Sequence, residues 1–316
     1  DQRYGTPNSV EEFAAKAQVQ TYEAHRAMME AYGRNKYTST GIIQWMLNNA
    51  WPSMIWHMYD WYLRPGGSYF GVKKACEPLH VQYSYDDRSV VIVNSYYQPF
   101  ANVRVIAKVY NLDMTEKYSK QADVSIAADS STRVFTVPAL KGLSPTYFVS
   151  LSLESAGEVK SSNFYWLSTR DETIDWARQE EDSSGQYDIS TWSPTKTFAD
   201  YTALNTLARV DLDAAAQFKQ NGGQSSTTVT VHNPSSSLAF AVHLKVTKGG
   251  IHRVSREADE DDEILPVLWQ DNYFALLPGE TRQITATYPM PEKNTAIPNV
   301  EIEGWNVNRK TVDLHN

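Results

Sequence analysis

The stretch that decides the fold is TSTGIIQWMLNNAWPSMIWHMYDWY, Thr38 to Tyr62, in which an uncharged apolar run changes into a cluster of Trp, Tyr, Asn and Asp. Its first part, Gly41–Leu47, has the length and continuity of a β-strand that is buried on both faces. Such strands are typical of parallel sheets that are covered by helices. We therefore predict that Gly41–Leu47 is a strand of a (β/α)8 barrel and that the cluster is the loop leaving it.

The residues that follow this predicted strand have the chemistry of a sugar pocket. Residues just past the carboxyl end of a barrel strand line the active site. Aromatic rings cover the apolar face of a sugar, and amides and carboxylates bind its hydroxyls. The candidate substrate-binding residues are Trp45, Asn48, Asn49, Trp51, Trp56, Tyr59 and Asp60. The alternative is that these aromatic residues belong to a core, with His57 a packed loop histidine instead of a sugar ligand.

Helices are predicted on both sides of this segment. Ser9 and Glu12 form a capping-box pattern, which opens a long helix that ends near Gly33. A turn at residues 64–68 precedes a short helix from Tyr69 to Cys76. Residues 1–78 are therefore predicted to be the carboxyl-terminal end of a (β/α)8 TIM barrel, comprising helix 7, strand 8 and helix 8.

Short alternating strands dominate the rest of the chain and predict two immunoglobulin-like β-sandwich domains. The first occupies residues 79–167, with strands at Val81–Tyr85, Ser89–Asn94, Asn102–Asn111, Lys117–Ser125, Thr132–Val137, Tyr147–Ser155 and Val159–Leu167. The second occupies residues 168–316. It begins with a polar connector, Ser168–Ala199, whose Trp176 and Trp192 indicate that it lies against protein. Its strands are predicted near Asp211–Gln217, Ser226–His232, Ala239–Lys248, Tyr273–Leu277, Thr281–Tyr288 and Asn299–Trp305. A faint repeat aligns Val91–Asn94 with Val229–Asn233.

Four segments carry a resemblance to a known family: RYGTPNSVEEFAAKAQ (3–18), YEAHRAMMEAYGRNKY (22–37), the run from Thr40 to Ser95, and VLWQDNYFALLPGE (267–280). They resemble the carboxyl-terminal part of the exo-β-D-glucosaminidases of glycoside hydrolase family 2, which degrade chitosan. The related β-mannosidases have a Trp-x-Leu-Asn-Asp-x-Trp pattern. This chain has Asn49 at the Asp position, which argues against a mannoside as substrate.

The resemblance implies a retaining, exo-acting and secreted (extracellular) hydrolase that releases glucosamine from the non-reducing end of chitosan or chitooligosaccharides. Retention needs two carboxylates about 5 to 5.5 Å apart. In the family these two carboxylates follow barrel strands four and seven, and both would precede Asp1. The chain alone is therefore expected to lack the catalytic pair, and none of its residues is predicted to be catalytic. The resemblance thus implies that this chain has the amino-terminal part of the same enzyme as its partner. The alternatives are a β-mannosidase of the same family and a non-catalytic carbohydrate-binding subunit made of β-sandwiches.

Composition narrows the range of partners. A net charge of −8 disfavours nucleic acid as a partner, because phosphate binding needs clustered Lys and Arg. The same charge suits a cationic polymer such as chitosan.

No apolar run approaches the ~18 to 20 residues of a membrane span. Because Cys76 is the only cysteine, an intrachain disulfide is excluded. Cys76 is expected to be a small buried residue. No metal motif is present, and neither a metal nor a cofactor is expected. The acidic run from Asp259 to Glu263 is interpreted as a solvated loop.

Overall fold

The structure is a computed structural model that describes residues 1–53, 57–176, 195–248, 262–289 and 297–314. Two helices near the amino terminus are followed by two β-sandwiches, and the predicted order of helices and sandwiches is confirmed. In the described residues, neither helix is both long and apolar enough to cross a membrane.

Helix α1 spans Val10–Arg34 and begins as the capping pattern predicts. The Ser9 hydroxyl accepts a hydrogen bond from the Glu12 amide at 3.1 Å. The Glu12 carboxylate reaches one residue further than expected, because it accepts from the backbone amide of Asn8 at 2.8 Å and not from that of Ser9. The amide of Glu12, one of those at the helix start that have no partner within the helix, is thereby satisfied.

Helix α2 spans Gly67–Ala75 and packs with its backbone directly against α1. A β-carbon added to Gly67 would lie 2.1 Å from the carbonyl oxygen of Gln18, and one added to Gly71 would lie 2.2 Å from that of Tyr22. Only glycine allows so close an approach, so these two residues set the distance between the helices. Cys76 caps α2 and is exposed, so the expectation of a buried cysteine is wrong.

The predicted strand Gly41–Leu47 is wrong for this structure, because these residues form irregular chain. A strand buried on both faces needs a hydrogen-bonded neighbour on each side, and in the described part of the chain this segment pairs with no strand. Its apolar side chains are consequently exposed, Ile43 to 90%.

The first sandwich confirms all seven predicted strands within a few residues. They are β1 (Leu79–Tyr83), β2 (Ser89–Asn94), β3 (Phe100–Asn111), β4 (Glu116–Ile126), β5 (Ser130–Thr136), β6 (Thr146–Ser155) and β7 (Glu158–Ser168). One sheet has the order β1-β2-β5 and the other β4-β3-β6-β7, with antiparallel pairing in both. Apolar residues from the two facing sheet surfaces form the core of this sandwich.

The connector carries a short antiparallel pair, β8 (Thr173–Ile174) and β9 (Thr195–Thr197), and leads to a 3₁₀ helix at Thr202–Thr206. Trp176 is 72% exposed, so the prediction that it lies against protein is wrong within this structure. Trp192 falls outside the described residues.

The second sandwich contains the six predicted strands and two that the sequence did not indicate. They are β10 (Asp213–Asn221), β11 (Gln224–His232), β12 (Ala239–Thr247), β13 (Leu268–Trp269), β14 (Phe274–Leu276), β15 (Thr281–Pro289), β16 (Asn299–Glu303) and β17 (Lys310–Asp313). The sheets have the orders β10-β11-β15-β13 and β14-β12-β16-β17. The additional strands, β13 and β17, are short edge strands, which have little periodicity to reveal them.

The predicted repeat between the sandwiches has a structural basis in two buried asparagines, Asn94 and Asn233. The side-chain amide of Asn94 donates to the carbonyl of Gln98 at 2.9 Å and to that of Ala127 at 2.8 Å. Its side-chain oxygen accepts from the backbone amide of Tyr96 at 3.0 Å. Asn233 makes the corresponding bonds. Its amide donates to the carbonyl of Ser237 at 2.8 Å and to that of Leu276 at 3.0 Å, and its oxygen accepts from the backbone amide of Ser235 at 3.1 Å. Each asparagine therefore holds the loop after its strand in the same way.

The helices are held between the sandwiches. Tyr4, Tyr22 and Phe70 belong to one core with Trp166 of β7 and Phe240 of β12. This shared core joins residues 1–78 to both sandwiches and fixes the position of the loop between α1 and α2.

Candidate functional site

The loop between α1 and α2 carries the candidate substrate-binding residues and is held by its own backbone. The Leu47 carbonyl accepts hydrogen bonds from the amides of Met58 at 3.0 Å and Tyr59 at 3.1 Å. The Met58 carbonyl accepts from the amide of Gly66 at 2.9 Å, and the Met58 side chain is buried. The loop is thus closed at its base, although its described residues form no strand.

The indoles of the loop face outward. Trp45 is 74% exposed and Trp51 is 67% exposed, and Trp61 and Tyr62 are also exposed. The peptide bond between Trp45 and Met46 is cis. Trp56, the third indole among the candidates, lies outside the described residues. The rings of Trp45 and Trp51 are therefore not part of a core within this chain.

The two asparagines occupy different environments. Asn48 is exposed, and its backbone bridges to Tyr59. Asn49 is buried, and its amide donates to the Ser53 carbonyl at 3.2 Å. Because that bond holds the loop, Asn49 has a structural role as well as any role in binding.

Tyr59 faces α2 and not the exposed indoles. Its ring centroid lies 4.9 Å from that of Tyr69, with the planes tilted by 52°. Burial and the hydrogen bond with Tyr69 raise the pKa of the Tyr59 phenol above its usual value. Tyr59 therefore remains protonated at neutral pH, and its hydroxyl can donate as well as accept a hydrogen bond.

Asp60 is used by the loop itself. Its Oδ1 accepts from the backbone amides of Tyr62 at 2.8 Å and Arg64 at 2.9 Å, and its Oδ2 lies 3.3 Å from the Arg64 guanidinium. A carboxylate with these partners closes a turn, so the structure favours a structural role for Asp60 over the sugar or amine contact expected from the sequence.

Arg64 links this loop to the second sandwich, a contact that no sequence pattern predicted. Its Nε donates to the Glu263 carboxylate at 2.6 Å, and the Glu263 side chain is only 5% exposed. Glu263 ends the acidic run that we interpreted as a solvated loop, so that interpretation is wrong for this residue. Residues 259–261 of the run lie outside the described residues. A buried carboxylate needs a cation, which explains the pairing.

His57 is buried, as the alternative interpretation of a packed loop histidine expected. Its carbonyl accepts from the Ser68 hydroxyl at 2.9 Å, which ties the loop to the start of α2. Within the described ranges no three His, Cys, Asp or Glu side chains are grouped as metal ligands would be.

Comparison with family models divides the chain as its fold does. Residues 86–169 match the model described as a Mannosidase Ig/CBM-like domain, and residues 190–307 match the Exo-beta-D-glucosaminidase Ig-fold domain. The first range covers most of the first sandwich, and the second range covers most of the second.

Nearly the whole chain has homologues among curated proteins. An exo-beta-D-glucosaminidase of Streptomyces avermitilis is 41% identical over 98% of this chain and 33% of its own length. One from Amycolatopsis orientalis is 39% identical over 98% of the chain and 29% of its own length. A mannosylglycoprotein endo-beta-mannosidase of Lilium longiflorum is 29% identical over 96% of the chain. The chain thus spans about a third of the length of these relatives.

Solved structures agree with this correspondence. The exo-chitosanase of Amycolatopsis orientalis superposes with a TM-score of 0.87 at 38% identity, over 99% of this chain and 36% of that one. A beta-D-mannosidase of Dictyoglomus thermophilum superposes with a TM-score of 0.64 at 16% identity, over 97% of this chain and 31% of that one, which shows a shared fold alone.

Proposed function

Because this chain is homologous over 98% of its length to the exo-beta-D-glucosaminidases, we propose that it is the carboxyl-terminal part of such an enzyme. The complete protein would be a secreted, retaining hydrolase of glycoside hydrolase family 2. It would release glucosamine from the non-reducing end of chitosan or its oligomers. The 41% identity to a relative of that name is the observation that carries the proposal.

Within that enzyme, residues 1–78 would complete a (β/α)8 barrel. The exposed apolar side chains of residues 41–47 support this part of the proposal, since surfaces of this kind mark contact sites. Neighbouring barrel strands would pair with this segment and cover its apolar side chains. The loop after them would then form one wall of the sugar pocket, with Trp45 and Trp51 as aromatic platforms and Asn48 among the polar contacts.

The experiment is to produce the complete polypeptide and to assay it on p-nitrophenyl β-D-glucosaminide, on the corresponding β-mannoside and on glucosamine oligomers. We expect glucosamine release with retention of configuration and no mannoside cleavage. A mannosidase would give the reverse preference. Absence of both activities, with retained binding of chitosan, would favour the non-catalytic alternative.

Asn49 allows a sharper test of substrate choice. The Asn49→Asp variant restores the residue that β-mannosidases carry in the Trp-x-Leu-Asn-Asp-x-Trp pattern. Asn48→Asp adds the same charge one residue earlier and is the matched control. If residue 49 takes part in sugar selection, Asn49→Asp changes the ratio of glucosaminide to mannoside turnover and Asn48→Asp does not. Equal ratios of glucosaminide to mannoside turnover in both variants would show that Asn49 does not select the sugar.

A further inference from the structure

A cleft between the two sandwiches has a cavity volume of about 490 Å³ and no part in the proposed function. Ligand sites commonly lie between domains and have volumes of about 300 to 1,000 Å³. One wall is the outer face of the sheet β4-β3-β6-β7, and the other is formed by residues 275–282 around β14 and β15.

The cleft exists because small side chains occupy that sheet face. Ser150 and Ser152 of β6 lie beside Ser162 of β7, with Ser152 and Ser162 directly paired across the strands. At the other end of the same face, bulky Phe148 and Trp166 fill the space and meet Phe240 of the second sandwich. The sandwiches therefore touch at one end and stay apart along the serines.

The three serine hydroxyls are available to a ligand. Among the described residues, none of the three makes a side-chain hydrogen bond, although all are only partly exposed. A hydroxyl both donates and accepts, as the hydroxyls of a sugar do. Tyr110 and Phe164 flank the serines and provide ring faces for the apolar side of a sugar.

The charges around the cleft leave one carboxylate without a close ion pair among the described residues. Arg282 is paired with Glu280 at 2.8 Å, and Lys108 is paired with Glu116 at 3.1 Å. Glu154 lines the same cleft and lies opposite Arg104 across the β3–β6 pair, but the Arg104 guanidinium makes its close ion pair with Asp123, at 2.9 Å. A ligand with hydroxyls, apolar ring faces and an ammonium group fits this combination.

We propose that the cleft between the two sandwiches binds a segment of a β-linked amino-sugar chain, with the serine hydroxyls on its hydroxyl groups and Glu154 on an ammonium group. The choice of amino sugar rests on the proposed function. The site has no part in bond cleavage. It holds the polymer by a second attachment, which raises the local concentration of chain ends.

The test uses the complete protein in affinity electrophoresis through gels that contain soluble chitosan, with the glucosamine tetramer as competitor. Ser152→Trp fills the cleft and Glu154→Gln removes its charge without changing its shape. Ser125→Trp, on an exposed part of β4, and Glu158→Gln, on the exposed start of β7, are matched controls. Melting temperatures confirm that each variant is folded.

We expect Ser152→Trp and Glu154→Gln each to weaken retention by chitosan about tenfold, as loss of one charge-assisted or well-placed contact does. The controls should migrate like the unmodified protein. Retention of both cleft variants equal to that of the unmodified protein would overturn the proposal. Stronger retention by a neutral mannan gel than by chitosan would overturn recognition of the amine.

Turnover of p-nitrophenyl β-D-glucosaminide separates this inference from the proposed function. The substrate carries a single sugar, so the cleft variants should turn it over normally. Normal turnover with unchanged retention would refute the cleft and leave the proposed function intact. Absence of turnover, with retention that still depends on Ser152 and Glu154, would refute the proposed activity and support the cleft.

Discussion

His80 Nε2 donates a hydrogen bond to Glu30 Oε1 at 2.9 Å, and both side chains are buried where α1 meets the first sandwich. The same Glu30 oxygen accepts from the phenol of Tyr165 at 2.8 Å and from the amide of Asn163 at 2.7 Å. The other nitrogen of His80 lies 3.4 Å from the Glu77 carboxylate. The contact between helix and sandwich is therefore partly ionic.

The first prediction is that this contact depends on pH. Burial lowers the pKa of His80, but hydrogen bonds and charge interactions with Glu30 and Glu77 outweigh it, so the pKa is raised. The stabilisation by His80 is then complete below about pH 6.5, its usual unfolded value, and is lost as pH rises through the raised folded pKa. Melting curves of the chain and of His80→Gln should converge as pH increases. Parallel curves would contradict the prediction.

A second prediction concerns the contact between α1 and α2. Gly71→Ala would place a methyl group 2.2 Å from the Tyr22 carbonyl oxygen, so the helices must separate. We expect a loss of about 1 to 3 kcal/mol in unfolding free energy, the usual cost of overpacking. The control is Gly223→Ala, since an added β-carbon at that site meets nothing within 4 Å. Chemical denaturation measures both, and equal stabilities would contradict the close packing.

A third prediction follows from the two buried asparagines. Asn233→Ala removes the side chain that bonds three carbonyls, one backbone amide and one hydroxyl, which should cost about 1 to 3 kcal/mol. Asn94→Ala should cost a similar amount, because Asn94 makes three corresponding bonds. Asn221→Ala, at an exposed strand end, is the control. Thermal unfolding of the three variants checks this, and a large difference between the two buried positions would argue against the structural repeat.

The fourth prediction concerns Trp45 in the complete enzyme. Trp45→Ala should remove an aromatic platform worth about 1 to 3 kcal/mol, and kcat should fall as well as the apparent affinity if stacking strengthens in the transition state. Trp176→Ala, which removes an equally exposed indole from the connector, should leave the kinetics unchanged. A large drop in melting temperature with normal kcat/KM for Trp45→Ala would assign it to a core instead.

The fifth prediction is that the 316-residue chain alone cleaves no glycoside. Without a paired acid/base and nucleophile, the main part of the barrier reduction is absent. The measurement is release of p-nitrophenol by the purified chain. Turnover that disappeared in Asp60→Asn would show that Asp60 is catalytic and not the turn-closing carboxylate described above.

The sequence by itself determined the elements whose signals are local. The Ser9 cap and the short strands with turn residues between them depend on neighbouring residues, so α1 and the strands of both sandwiches could be predicted. The repeat of Val91–Asn94 at Val229–Asn233 likewise follows from local loop chemistry. The candidate residues Trp45 and Trp51 could be found because indoles are rare and conspicuous after an apolar run.

Only the tertiary structure decided the rest, because it depends on residues far apart in the chain. Residues 41–47 have strand composition, but a strand needs neighbours, and without them the segment is irregular. The bonds from Arg64 to Glu263 and from Glu30 to His80 join residues that no sequence pattern connects. The cleft lined by Ser152 arises from the spacing between two domains, and that spacing is set by the aromatic contact of Trp166 with Phe240.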